Sequence, residues 1–217
     1  MTQALVFANG DVLDGPMVRR ALDQCFDPLV IAADGGARVA WHYGLPIDIV
    51  VGDFDSLSAN DEARLQVEGV QLQRHDEEKD FTDLELALKL AYEREAGWIR
   101  IIGGIGDRLD QTIANVYLLG LPELHDCDVR MVAGRQEIRL LYPGEHIVNG
   151  TQGDTLSLIP VGGAVRGIRT DGLYYSLHGE TLDFGPARGI SNVLTASPAR
   201  ITTDSGMLLA VHTMGRA

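Results

Sequence analysis

Ile47-Asp48-Ile49-Val50-Val51-Gly52-Asp53-Phe54-Asp55-Ser56 reads as a short buried strand that stops at a glycine and then releases two carboxylates. An apolar run of this length bounded by Gly is a strand signal. With Val50-Val51 closing the strand, Asp53 and Asp55 lie just past its carboxyl end. Residues two apart in extended backbone share a side, so the two carboxylates would converge. Like charges that close are costly without a cation. Magnesium is the simplest answer, a hard ion that takes oxygen ligands and commonly joins one or two carboxylates to a substrate phosphate. Taken alone, the motif reads first as a solvated Asp-x-Asp turn.

Outward from this stretch the chain alternates strand and helix patterns. Strand-like runs fall at 4–8, 29–33, 47–51, 70–74, 98–102 and 129–133, with helix-like segments at 17–25, 36–43, 59–68, 82–96 and 109–119. The segment 82–96 is the clearest helix. Leu84, Ala87, Leu88, Ala91 and Tyr92 form one apolar stripe, and Thr82 with Glu85 fits a capping box. Repeated strand–helix units predict a mostly parallel sheet flanked by helices, with ligands bound beyond the carboxyl ends of the strands. After about Arg135 the pattern changes to short β-rich runs punctuated by Gly, at 136–141, 145–148, 155–159, 165–170, 180–184, 192–196, 199–203 and 207–212. These predict a C-terminal antiparallel β-sandwich or barrel. The fold class is therefore α/β plus all-β, with domains at 1–135 and 136–217.

Bulk properties narrow the function. Asp and Glu number 31 against 18 Lys and Arg, a formal net charge of −13, which disfavours a nucleic-acid partner. No apolar run has the length of a membrane span, and the start Met1-Thr2-Gln3-Ala4-Leu5-Val6 lacks the basic opening of a signal peptide. Cys25 and Cys127 make no disulfide framework, so a reducing cytoplasm is expected.

Four polar stretches fall at predicted strand ends. Asp34-Gly35-Gly36 offers glycines that let a phosphate approach a helix start, although by itself the motif reads better with Asp34 as a helix cap. Gly52 through Ser56 is the pair of acids above. Lys79-Asp80-Phe81-Thr82-Asp83 places Asp80 and Asp83 at the start of the clearest helix, where acids favour the dipole in any case. Gly103-Gly104-Ile105-Gly106-Asp107-Arg108-Leu109-Asp110-Gln111 is a Gly-rich strand-to-helix turn with phosphate-cradle character. Its Gly spacing matches neither Walker A nor the dinucleotide fingerprint. Arg108 is placed to stabilise charge on a transferring phosphate, and Asp110 to hold Arg108 or accept from a ribose hydroxyl. The histidines show no metal-ligand spacing, and no G-x-S-x-G nucleophile turn is present. Together the four stretches fit a magnesium-dependent reaction of a nucleoside triphosphate.

This series of blocks, with Leu158-Ile159-Pro160-Val161-Gly162 and Arg188-Gly189-Ile190-Ser191-Asn192, resembles the thiamine pyrophosphokinase (thiamine diphosphokinase) family across nearly the whole chain. The resemblance implies pyrophosphoryl transfer from ATP to thiamine, giving thiamine diphosphate and AMP. It implies a homodimer, an ATP- and metal-binding first domain and a thiamine-binding, dimerising second one. Carried over by position, Asp53, Asp55 and Asp83 would hold Mg2+, with Asp34 and Asp80 in support. Asp53, Asp55, Asp80, Asp83 and Arg108 would form the catalytic set. Asp34, Gly35, Gly36, Lys79, Gly103, Gly106, Arg108, Asp110 and Gln111 would serve ATP, and Thr82, Asp83, Ser191 and Asn192 would serve thiamine. The chain departs from the family pattern at Asp107, Gln111, Tyr175 and Val193. Two other readings stay open: a pyrophosphokinase for another primary alcohol, such as a hydroxymethylpterin, and a non-catalytic nucleotide or thiamine sensor.

Overall fold

Apolar runs without alternation belong in strands covered on both faces, and the N-terminal half is built from them. The computed structural model describes residues 2–76 and 80–216. The chain divides into two compact units at Gly134/Arg135. In the first, strands β1 (Thr2–Phe7), β2 (Leu29–Ala33), β3 (Ile49–Gly52), β4 (Gln71–Arg74), β5 (Ala96–Ile102) and β6 (Asp128–Ala133) form a parallel sheet in the order β4-β3-β2-β1-β5-β6. Ala4 through Phe7 and Ile99 and Ile101 are fully buried, whereas edge strand β4 is half-exposed. Strand order reverses between β1 and β5, and in parallel sheets such a switch opens a crevice at the carboxyl ends.

The helices between these strands are α1 (Pro16–Gln24), α2 (Gly36–His42), α3 (Ala59–Val67), α4 (Asp83–Glu93) and α5 (Leu109–Tyr117). Helix α4 buries Leu84, Ala87, Leu88, Leu90 and Ala91 against β1, β2, β3 and β5. Each leucine contributes roughly 2 kcal/mol of apolar burial. Thr82 caps α4 by accepting from the Glu85 N–H at 3.2 Å, while the Glu85 carboxylate pairs with Lys89 at 2.7 Å. The complete capping box lies instead on α3, between Ser58 and Asp61. The sequence pattern runs α4 on to 96, but Glu95 takes a left-handed φ of 61° and Ala96 opens β5. No helix among the described residues is long and apolar enough to cross a membrane.

The second unit is antiparallel throughout. Its strands are β7 (Gln136–Leu141), β8 (Gly144–Val148), β9 (Thr155–Asp171), β10 (His178–Leu182), β11 (Asn192–Val193), β12 (Ala199–Thr203) and β13 (Ser205–Thr213). The expected strands 155–159 and 165–170 are one strand of 17 residues. Its first half pairs with β13 and β11, its second half with β12 and β10, so β9 belongs to both sheets of a sandwich. Gly162 and Gly167, at φ 72° and 64°, let β9 turn from one sheet to the other. Leu141, Leu156, Leu158, Val165, Ile168, Leu194, Ile201 and Leu208 fill the interior. Strand β10 begins two residues earlier than the pattern predicts, and β11 is two residues where 192–196 is expected.

Candidate active site

Every strand of the first sheet points its carboxyl end the same way, and a cleft of about 480 Å³ opens there, within the usual size of a small-molecule site. Ala8, Asn9 and Gly10 after β1, Asp34 after β2, Asp53 and Asp55 after β3, and Gly104 and Gly106 after β5 line it. Phe81, Thr82 and Asp83 at the start of α4 and Gln111, Thr112 and Asn115 on α5 complete the wall.

At its centre, carboxylate oxygens of Asp34, Asp53 and Asp83 lie within 4.8 Å of one another. Asp34 is held in place by its backbone: its N–H donates to Val51 O at 2.9 Å, and its φ of 45° aims the side chain across the end of β3. Asp34 is 4 % exposed and its Oδ1 is buried without a hydrogen-bond partner among the described residues. Burying a carboxylate oxygen without a partner is costly. Gly52 makes room for the cluster. Its φ of 151° suits glycine, and a Cβ there would lie 3.1 Å from Asp34 Cβ and from Asp83 Oδ1. An all-carboxylate donor set, an unsatisfied buried oxygen and a glycine-made cradle fit a hard divalent cation such as Mg2+.

Asp55 does not belong to this trio. The expectation that Asp53 and Asp55 share a side assumes extended backbone, but Phe54 between them has φ 70°. A left-handed phenylalanine is strained by roughly 1–2 kcal/mol. Burial of its ring in the core and stacking of Arg74 over it, 4.5 Å from the centroid, offset that cost. The turn sends Asp55 outward, where its N–H donates back to Asp53 Oδ1 at 3.1 Å and its carboxylate accepts from Ser56 Oγ at 3.0 Å. Asp55 still lines the cleft. Arg74 also donates to Asp53 O at 2.9 Å and so ties the strained turn to β4.

Also at the cleft, the Arg108 guanidinium grips the Asp110 carboxylate through two contacts, at 2.5 and 3.2 Å. That hydrogen bonding holds the Asp110 carboxyl below the ordinary carboxylate range and raises Arg108 above its own. Both side chains remain largely exposed, so the pair is a solvent-screened alignment rather than a source of stability. Asp110 itself is outside the cleft lining, whereas Arg108 and Gln111 are on it.

Two family models match the chain: "Thiamin pyrophosphokinase, catalytic domain" over residues 24–131 and "Thiamin pyrophosphokinase, vitamin B1 binding domain" over residues 145–208. Between them they span well over half of the sequence. The chain belongs to the thiamine pyrophosphokinase family. A thiamine pyrophosphokinase of Bacillus subtilis is 28% identical over 186 residues, covering 85% of this chain and 86% of its own. The crystal structure of the Bacillus subtilis thiamine pyrophosphokinase superposes with a TM-score of 0.86 at 25% identity, covering 99% of each chain. That of the Geobacillus thermodenitrificans protein superposes with a TM-score of 0.83 at 27% identity, covering 98% of this chain and 97% of its own.

The remaining residues implied by thiamine pyrophosphokinase resemblance fall as follows. Asp80 is exposed ahead of α4, outside both the carboxylate trio and the cleft lining. Lys79 lies outside the described residues. Gly35, Gly36 and Gly103 are not among the residues lining the cleft and instead allow close packing. A Cβ at Gly36 would collide with Phe7 O, one at Gly103 with Ala8 O, and one at Gly35 with the Asn9 side chain. Ser191 and Asn192 lie in the second unit. Ser191, at φ 59°, donates its N–H to Ser157 Oγ at 3.0 Å. The buried Asn192 amide is committed to Tyr175: Oδ1 accepts from Tyr175 N–H at 2.9 Å and Nδ2 donates to Tyr175 O at 2.8 Å. It shapes the loop carrying the exposed Tyr174 and Tyr175.

Sequence reasoning missed Asn9, Gly10, Thr112 and Asn115. Asn9-Gly10 follows the central strand β1, so its position past a strand end beside the reversal of strand order is the available signal.

Proposed function

We propose that this chain transfers the pyrophosphoryl group of ATP to the hydroxyethyl oxygen of thiamine, giving thiamine diphosphate and AMP. The observation that carries the reading is the convergence of Asp34, Asp53 and Asp83 in one cleft with Arg108 and a Gly-rich turn. Asp34, Asp53 and Asp83 would hold Mg2+, with Asp55 lining the same cleft. When bound, the ion neutralises and orients the phosphates.

In this reading the turn 103–107 receives the phosphate chain, and Arg108, aligned by Asp110, sets its charge against the departing AMP. The bond formed joins the alcohol oxygen to the β-phosphorus; the bond broken is that between the β-phosphorus and the bridging oxygen, which leaves on AMP, and the alcohol proton passes to an acid of the cluster. Little covalent work is asked of the protein, so positioning and charge account for the acceleration. The trio has a second use, because thiamine carries a permanent positive charge that favours an acidic cleft. Ser191 and Asn192 would serve thiamine, the latter through the loop it braces.

We also infer a homodimer working in a reducing cytoplasm. Exposed Tyr174, Tyr175, Phe184 and Ile190 supply apolar surface for such an interface, and both cysteines are free thiols. Sedimentation at a mass of one chain would refute the dimer. The activity is tested by incubating the protein with ATP, Mg2+ and thiamine. Equal yields of AMP and thiamine diphosphate support it. A pterin alcohol that outcompetes thiamine would move the assignment to another pyrophosphokinase, and ATP binding without AMP would leave a sensor.

A further inference from the structure

The Gly-rich turn after β5 is laced from both sides. The Gly10 N–H donates to Gly103 O and the Asp11 N–H to Ile105 O, each at 2.8 Å. From α5, Asn115 Nδ2 donates to Gly104 O at 2.9 Å. The Thr112 hydroxyl accepts from Gly106 N–H at 3.2 Å and donates to Gly106 O at 3.3 Å. Four consecutive carbonyls are thus committed in alternation, odd ones to the β1 loop and even ones to α5. A carbonyl aimed into the cleft would repel a polyphosphate, and a turn free to rotate its peptides would have to be ordered on each binding event. Glycines offer no resistance of their own to such rotation.

We infer that Thr112 and Asn115 are positioning residues that hold this turn in its phosphate-receiving form. The inference rests on the proposed use of the cleft for ATP. Both side chains act through the Gly104 and Gly106 peptides, and each anchors a residue that lines the cleft. Helix α5 buries none of its residues, so trimming these two polar contacts removes little core packing. The cost of losing them appears as the work of ordering the turn around ligand.

The test compares Thr112→Val, which keeps the shape and removes the hydroxyl, with Thr112→Ser, which restores it, and with Asn115→Leu. Losing one partner of a part-buried peptide group corresponds to roughly a tenfold effect. The expected result is a KM for ATP raised about tenfold in Thr112→Val and Asn115→Leu, with the KM for thiamine unchanged. Thr112→Ser recovers most of the loss. ATP binding without thiamine, followed by calorimetry, weakens by the same factor. Wild-type KM for ATP in Thr112→Val and Asn115→Leu, or equal losses in the Val and Ser variants, overturns the inference. If the wild-type protein itself forms no AMP, the activity reading has failed instead. Calorimetry then still decides whether these residues hold the turn for nucleotide.

Discussion

Replacing Asp34 by Asn should make the metal-free protein more stable while abolishing its response to magnesium. Oxygens of Asp34, Asp53 and Asp83 lie within 4.8 Å of one another. Two unit charges that far apart repel by roughly 3–4 kcal/mol at an effective dielectric of about 20. Asp34 takes part in two such pairs. Asp53 and Asp83 are partly exposed and each has other interactions of its own, so those partners, solvent and salt offset much of this, and a net gain of about 1 kcal/mol is expected. Asn accepts the backbone conformation at φ 45° as readily as Asp. In a chain of this size each kcal/mol moves Tm by roughly 2–4 °C, so the variant should melt a few degrees higher in EDTA. Magnesium at a hundred times its Kd should add about 2.7 kcal/mol to the wild type, roughly 5–10 °C, and little to the variant. Thermal melts of both proteins in EDTA and across a magnesium titration provide the readout. A variant that melts lower in EDTA yet keeps the full magnesium response would show that Asp34 is a structural cap.

Arg108→Ala should lower turnover by a factor on the order of 10² or more with Tm unchanged, and steady-state kinetics at saturating ATP would show it; an unaltered rate would make the arginine a surface residue. Asp61, which accepts from Arg38 and caps α3 through Ser58, has its carboxyl lowered to about 2. Its stabilisation is complete above its unfolded pKa near 4 and lost as pH falls toward 2, so Asp61→Asn should cost about 1 kcal/mol at pH 7 and almost nothing at pH 2, as followed by urea unfolding. In the second unit the buried Asp154 carboxylate accepts from Gly215 N–H at 2.7 Å, Thr151 N–H at 2.8 Å and pairs with His212 Nε2 at 2.9 Å. Burial opposes its ionisation, but these bonds win and hold its carboxyl below the usual value. Asp154→Ala should therefore cost about 3 kcal/mol in chemical denaturation, and a loss below 1 kcal/mol would refute that accounting.

What the sequence made legible follows from which interactions are local. The runs of β1, β2, β3 and β5 are apolar because both faces are covered, and that composition is visible residue by residue. The α4 stripe is likewise a local periodicity. Strand β9 reads as two strands in sequence because Gly162, Gly163 and Ala164 interrupt the apolar pattern at the bend where it changes sheets, a tertiary event. The cleft was legible as a set of strand ends, yet not its internal geometry. Asp34 reads as a cap and Asp55 as a ligand when only spacing is considered. The left-handed Phe54, its strain offset by core burial and Arg74, turns Asp55 away from the carboxylate trio that Asp34 joins. Asn9, Thr112 and Asn115 act through hydrogen bonds between distant segments, which no single stretch of sequence displays.

The proposed metal site brings Asp34, Asp53 and Asp83 onto one divalent cation, and anomalous diffraction from a crystal soaked with Mn2+ can locate that ion. A single strong peak in the cleft, in contact with carboxylate oxygens of all three residues, is expected. A peak bound by Asp53 and Asp55 without Asp34, or no peak in the cleft at all, would contradict it.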